Sequence, residues 1–186
     1  MKHLRQLVLL TGMCLVSLSA WADNITNFGN IPVPSSLNYG NSFTSAASGT
    51  TFFDDYIFTI PDGSANSVTS SINLGSLLGI DSLQARLYSG NAHYTGAVAP
   101  GTLLEAWGTV VNYSPGVSAT TVVLDPLLLM AGTYTLQIRG TVTGLAGGSY
   151  AGVLNVTPPI PELETYALLL AGLGMVGAVA RRKVKH

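Results

Sequence analysis

The sequence predicts an all-β domain, a β-sandwich or jelly roll, over residues 23–157, and three observations predict it. Apolar and polar residues alternate there with a period of two. Gly, Pro, Asn and Ser break the alternating runs at short intervals. No stretch inside the segment carries apolar residues at helical spacing. Strands at such spacing pack as two stacked sheets.

The clearest run is Thr133 to Thr143. Tyr134, Leu136, Ile138 and Val142 point one way, and Thr133, Thr135, Gln137, Arg139, Thr141 and Thr143 point the other. Tyr150 to Val156 alternates again and is expected to pair back on it as a hairpin. Further strands are expected at Phe52 to Ile60, Val68 to Leu74, Leu83 to Tyr88, Leu103 to Val111 and Thr120 to Leu124. Leu77 to Ile80 reads as one short helical turn. The run Phe52 to Ile60 is apolar on both faces, which predicts a strand inside a sheet. On it Phe52, Asp54, Tyr56, Phe58 and Ile60 share a face. Asp54 therefore needs a partner, from neighbouring backbone or from Arg86 or Arg139, because burying a lone carboxylate is costly.

Charge is distributed unevenly. Between residues 23 and 160 the chain has seven acids against two arginines, Arg86 and Arg139, a formal charge of −5. Such a domain has no footprint for nucleic acid, whose binding rests on neutralising phosphates. The remaining basic residues sit at the ends and fit membrane topology. The single cysteine, Cys14, lies in the apolar leader, so the domain has no disulfide, thiolate nucleophile or zinc–thiolate site.

Residues 1–22 read as a secretory signal peptide. Lys2 and Arg5 form a positive start, Leu7 to Leu18 an apolar stretch, and Ala20-Trp21-Ala22 supplies small residues for signal peptidase, placing the cut before Asp23. Residues 158–186 read as a sorting signal with a single C-terminal transmembrane helix over 165–180. Those 16 uncharged residues rise roughly 24 Å. The hydrocarbon core is about 30 Å thick, and Leu163 together with snorkelling basic side chains closes most of the gap. The tail 181–186, led by Arg181, Arg182 and Lys183, favours the cytoplasmic side and leaves the domain outside.

Pro161-Glu162-Leu163, the run Thr165 to Gly174 and then Arg181-Arg182-Lys183 closely resemble the PEP-CTERM sorting signal. That signal is a Pro-Glu-Pro motif, one hydrophobic helix and a basic tail. The resemblance implies recognition by an exosortase, an integral-membrane protease-like enzyme of Gram-negative bacteria that make exopolysaccharide, with Pro161 and Glu162 as recognition residues. Leu163 stands where the family has its second proline. Phe52-x-Asp54-x-Tyr56 is similar to the Phe-x-Asp-x-Phe signature of one subgroup, with Tyr at the last position. Residues 131–136 and 148–152 resemble the closing hairpin of the same proteins. This resemblance implies placement, not chemistry.

Chemistry-bearing patterns are sparse. Asp54, Asp55 and Asp62 are oxygen donors that could hold calcium, although neighbours on a strand face opposite ways. His93 is the sole histidine of the domain, in a loop by composition. The nucleophile-like run Gly147-Gly148-Ser149-Tyr150-Ala151 lacks the last glycine and the strand-to-helix elbow a serine hydrolase needs. Gly172-Leu173-Gly174-Met175-Val176-Gly177 matches a dinucleotide fingerprint without its strand and crossover helix, so the small residues read as helix packing. The expectation is a non-enzymatic protein of the cell surface or exopolysaccharide matrix, with no cofactor, in a structural or adhesive role of the kind that builds a biofilm. The alternative is a carbohydrate-binding module, aided by calcium, in which Tyr39, Tyr94, Trp107 or Tyr113 stack on sugar rings.

Overall fold

The computed structural model describes residues 23–95, 103–113, 118–159 and 163–183. Ten strands form two sheets. They are β1 (Ile25–Asn30), β2 (Ser35–Thr44), β3 (Thr51–Ile60), β4 (Gly63–Asn73), β5 (Ile80–Ser89), β6 (Leu103–Glu105), β7 (Thr109–Tyr113), β8 (Ser118–Leu129), β9 (Gly132–Val142) and β10 (Gly147–Thr157). The first sheet has the order β1-β3-β9-β5-β6 and the second β2-β10-β4-β8-β7. The all-β sandwich expected from the alternation is what forms. Its pairing is nested: β2 pairs β10, β3 pairs β9 and β4 pairs β8, all antiparallel. Only β1 joins in parallel, on β3.

The core lies between the sheets. Phe52, Tyr56, Phe58 and Ile60 of β3 and Leu136, Ile138 and Val142 of β9 meet Tyr39 and Phe43 of β2 and Tyr150, Leu154 and Val156 of β10. Aromatic rings fill much of it. Phe52 stacks on Tyr150 with centroids 5.5 Å apart, and Tyr39 meets Tyr56 at 4.7 Å. Glycine is required at Gly152, because a Cβ there would come within 2.3 Å of the Tyr39 ring on the paired strand.

Several expectations need correction. The run 150–156 does not pair back on 133–143: β9 belongs to the first sheet and β10 to the second. Gly144 and Gly147 carry the chain across, tied to Gly79 by the bonds Gly144 N–H to Gly79 O and Gly79 N–H to Gly147 O. Residues 77–80 are not a helical turn. The turn is at 75–77, Leu74 and Leu78 form a bridge, and Ile80 opens β5. The expected strand 103–111 is broken into β6 and β7, which serve different sheets. β1 and β2, rich in Asn, Ser and Gly, were not expected at all.

The C-terminal helix α1 (Leu163–Lys183) has 21 residues. It is longer than the expected 165–180, taking in Leu163 and the basic Arg181, Arg182 and Lys183. Leu168, Leu169, Leu170, Leu173, Met175 and Val176 on it are exposed. Among the described residues no helix is long and apolar enough to cross a membrane. The expected signal peptide, with Ala20 and Ala22, and the residues Pro161 and Glu162 lie outside the described residues.

Candidate functional site

Asp54 and Asp55 sit side by side on β3 and serve opposite faces of the first sheet. Asp54 faces the core and is fully buried. It accepts hydrogen bonds from the Asn24 amide (2.8 Å), from Asn41 Nδ2 (2.9 Å) and from the Tyr150 hydroxyl, which also meets the Tyr56 hydroxyl at 2.8 Å. Asn41 and Tyr150 belong to the second sheet. Asp54 is thus a polar rivet between sheets, and its partners are not Arg86 or Arg139. Burial pushes its pKa up against the pull of Tyr150, Asn41 and the Asn24 amide. The Phe52-x-Asp54-x-Tyr56 signature is therefore architectural: two rings in the core and one carboxylate joining three strands.

Asp55 faces outward and yet is buried, because a second layer covers it. Strand register places Asp55, Gln137 and Arg86 in one row across β3, β9 and β5. Arg86 Nε donates to Gln137 Oε1 (2.8 Å), and Gln137 Nε2 donates to Asp55 Oδ1 (2.6 Å). The loop after β5 closes over this row. Gln137 Nε2 reaches the Tyr94 carbonyl (2.9 Å), the Tyr88 hydroxyl the Ala92 carbonyl (2.9 Å), and Thr135 Oγ1 the Gly90 carbonyl (2.7 Å). Backbone carbonyls of an irregular loop are satisfied here by side chains of the sheet beneath, as burial demands.

His93 is the clasp of that loop. Its Nδ1 lies 2.7 Å from Asp55 Oδ2 and its Nε2 lies 3.4 Å from Asp23 Oδ2. Asp23 in turn accepts the Phe53 amide at 2.8 Å. Burial works to lower the His93 pKa, but the bonds and charges of Asp55 and Asp23 outweigh it and raise it. Burial raises the Asp55 pKa, opposed first by His93 and then by Gln137. Both ring nitrogens of His93 face carboxylates, which suits an ion-paired strut rather than a general base.

The other sequence candidates separate. Asp62 accepts the Ala131 amide (2.6 Å) and joins two turns. Asp54, Asp55 and Asp62 face three environments, so the calcium candidates are not brought together. Among the described residues no group of three or more ligating side chains could hold a metal ion. Asp23 and Asp55 lie at opposite edges of the His93 ring. Ser149 is exposed on the outer side of the second sheet, with both sheets between it and His93. Tyr39 is buried in the core and hydrogen-bonded to Ser67 and Thr69. Tyr94 and Trp107 are half-buried on the outer side of the first sheet. Tyr94 meets Tyr88 edge-on at 5.6 Å, and Trp107 lies over two guanidiniums, Arg86 at 4.4 Å and Arg139 at 4.0 Å. The Tyr113 side chain lies outside the description. Sequence reading missed the Asp23–His93–Asp55 clasp and the Arg86–Trp107–Arg139 cluster. The only available signal was the polar side of β9, which places Thr135, Gln137 and Arg139 on one face.

Fold and site together define a two-sheet β-sandwich with one outer face sealed by a polar relay. No family model matches the chain, and no curated protein does. Among solved structures it is similar to the pre-peptidase C-terminal domain of a collagenase from Bacillus anthracis, with a TM-score of 0.36 and 14% identity over 73% of this chain and 96% of that one. It is also similar to PliG, a periplasmic inhibitor of g-type lysozyme from Aeromonas hydrophila, with a TM-score of 0.35 and 18% identity over 73% of this chain and all of that one. Likeness at this level carries no argument about what the chain does.

Proposed function

We propose that this chain is an exported protein of the cell surface or exopolysaccharide matrix of a Gram-negative bacterium. Signal peptidase cuts it before Asp23, an exosortase handles its C-terminal signal, and the sandwich has a structural or adhesive role without catalysis. The observation that carries this reading is α1. Leu168, Leu169, Leu170 and Leu173 on it are exposed, it follows Pro161-Glu162, and it ends in Arg181-Arg182-Lys183. Its part before the basic end, residues 163–180, rises about 27 Å, short of a hydrocarbon core of about 30 Å, with basic side chains at one end to snorkel. Exposed leucines in water are an interaction surface, and a lipid bilayer is the occupant their length and flanking charge suit.

The start of the sandwich supports the proposed cut. Asp23 and Asn24 are fully engaged: the Asp23 carboxylate holds the Phe53 amide, the Asn24 amide donates to Asp54, and the Asn24 carbonyl accepts the Asp55 amide. Cleavage before Asp23 leaves every one of these bonds in place. The test is intact-mass analysis of the protein recovered from the cell surface. The expected mass begins at Asp23 and lacks the tail beyond the Pro161-Glu162 region. Recovery of the uncut chain from cytosol contradicts the reading. A second reading, a carbohydrate-binding module, is favoured by the half-buried Tyr94 and Trp107, which stand outside the core on one face.

A further inference from the structure

In a domain with seven acids, the two arginines avoid all of them. Among the described residues the ion pairs are those of His93, and no carboxylate lies within ion-pair distance of Arg86 or Arg139. The neighbouring segments 96–102 and 114–117 contain no acidic residue that could supply one. Both guanidiniums instead stand against Trp107. Taking a cation from water without an anion is costly. A cation–π contact offsets only part of that. Burial pushes the pKa of both guanidiniums down from the ordinary value, as expected of cations short of a counter-charge.

The two arginines differ in reach. Arg86 is 1% exposed and is held inside, its Nε by Gln137 and its Nη2 by the Tyr94 carbonyl at 3.4 Å. Arg139 is half-buried and reaches the surface. Its Nε (2.8 Å) and Nη2 both donate to Gln84 Oε1, and its Nη1 has no hydrogen-bond partner among the described residues. Half-buried rings, Trp107 and Tyr94, border the pair.

We propose that Arg139, with Trp107 beside it, binds a carboxylate-bearing pyranose, that is, a uronate unit of an acidic polysaccharide, and that Arg86 is a positioning residue that holds the indole and the Tyr94 loop. A guanidinium recognises a carboxylate through directed charged hydrogen bonds. An aromatic ring takes the apolar face of a sugar. A uronate presents both groups on one ring. The inference rests on the reading that the domain works among exopolysaccharide. The formal charge of −5 repels a long polyanion, so contact recognition of one unit, not long-range attraction, holds the ligand.

Trp107 reports on its own site, since the only other tryptophan, Trp21, lies in the leader. The experiment titrates the full chain in detergent, carrying Trp21→Phe, with a short galacturonate oligomer and follows tryptophan emission. The expected result is a saturable change that is weakened about tenfold or more in Arg139→Gln, the loss of one charged hydrogen-bonding group, and is partly retained in Arg139→Lys with an unchanged circular dichroism spectrum. A galactose oligomer, sodium sulfate at matched ionic strength and an acidic peptide are expected to give no saturable change. No response to galacturonate, or an equal response to any of those three, overturns the proposal. The assay uses purified protein, so a wrong cellular address leaves it standing. A surface-located protein that ignores galacturonate refutes the ligand alone.

Discussion

The outer faces of the two sheets are built on opposite plans. On the first sheet the middle of the outer face is made by Asp55, Gln137, Arg86, Thr135 and Tyr88, with the half-buried Arg139, Gln84 and Phe53 around them. The five central ones are buried, because the loop 90–94 and Trp107 lie over them. On the second sheet the outward row Asn38, Val153, Val68 and Val123 runs across β2, β10, β4 and β8 and stands open, with Val68 44% exposed. The charged groups are under cover and the valines are in water. The polar face is covered because its groups pair with one another and with the loop above, leaving among the described residues no buried side-chain polar atom without a partner. The valine row is uncharged and mixed with Ser, Thr and Asn, which water tolerates without a lid.

This contrast can be broken first at Gln137, the hinge of the relay. Gln137→Ala removes both the acceptor of Arg86 and a donor to Asp55, leaving two buried groups short of a partner. At about 1–3 kcal/mol for each such group the loss should reach about 2–6 kcal/mol in urea unfolding. The facing substitution Val68→Thr, on the open row, should change stability by no more than about 0.5 kcal/mol. Between these extremes lies Gly152→Val. Its branched side chain meets the Tyr39 ring from the paired strand, and overpacking of that kind should cost about 1–3 kcal/mol.

The His93 clasp sharpens the comparison through pH. A raised folded-state pKa means stability that is fully present below about 6.5, the unfolded value, and is lost as pH rises through the folded value. Asp55, also raised, changes stability in the same sense at lower pH. Thermal melts from pH 5 to 9 should therefore show the midpoint falling at the alkaline end of His93 titration. His93→Gln should flatten that fall, and an equal fall in both proteins would remove the clasp from the account. The smallest effect is on the second sheet, where among the described residues no ion pair joins the strands and Val68→Thr should leave the pH profile unchanged.

Legibility in the sequence followed the same division. β9 was readable to its faces, because Leu136 and Ile138 alternate with Thr135, Gln137 and Arg139, and the structure keeps both sides as read. β4 was readable as a strand but not as to its faces. Its inward residues are Ala65, Ser67, Thr69 and Ser71, and its outward ones include Val68 and Ile72. The large rings of Tyr39, Tyr56 and Tyr150 occupy the interior, so small hydroxyl residues fit opposite and satisfy the Tyr39 hydroxyl, which inverts the usual pattern. β1 escaped notice because six residues with few apolar ones give no period, and its parallel pairing has no local signature. The site was the least visible part. Asp23, Asp55 and His93 are separated by more than thirty residues from one another and meet only because β1 lies on β3 and the loop folds back from β5.

The central claim is that the row beneath the loop on the first sheet is interior, whereas the outer face of the second sheet is surface. The chain carries its only cysteine in the leader, so in a Cys14→Ser background single thiols can report on each face. Thr135→Cys places one beneath the loop and Val68→Cys places one on the open row. Labelling with a small maleimide should be fast at position 68 and, at position 135, no faster than loop opening or unfolding allows. Comparable labelling rates at the two positions in the folded protein would contradict the account.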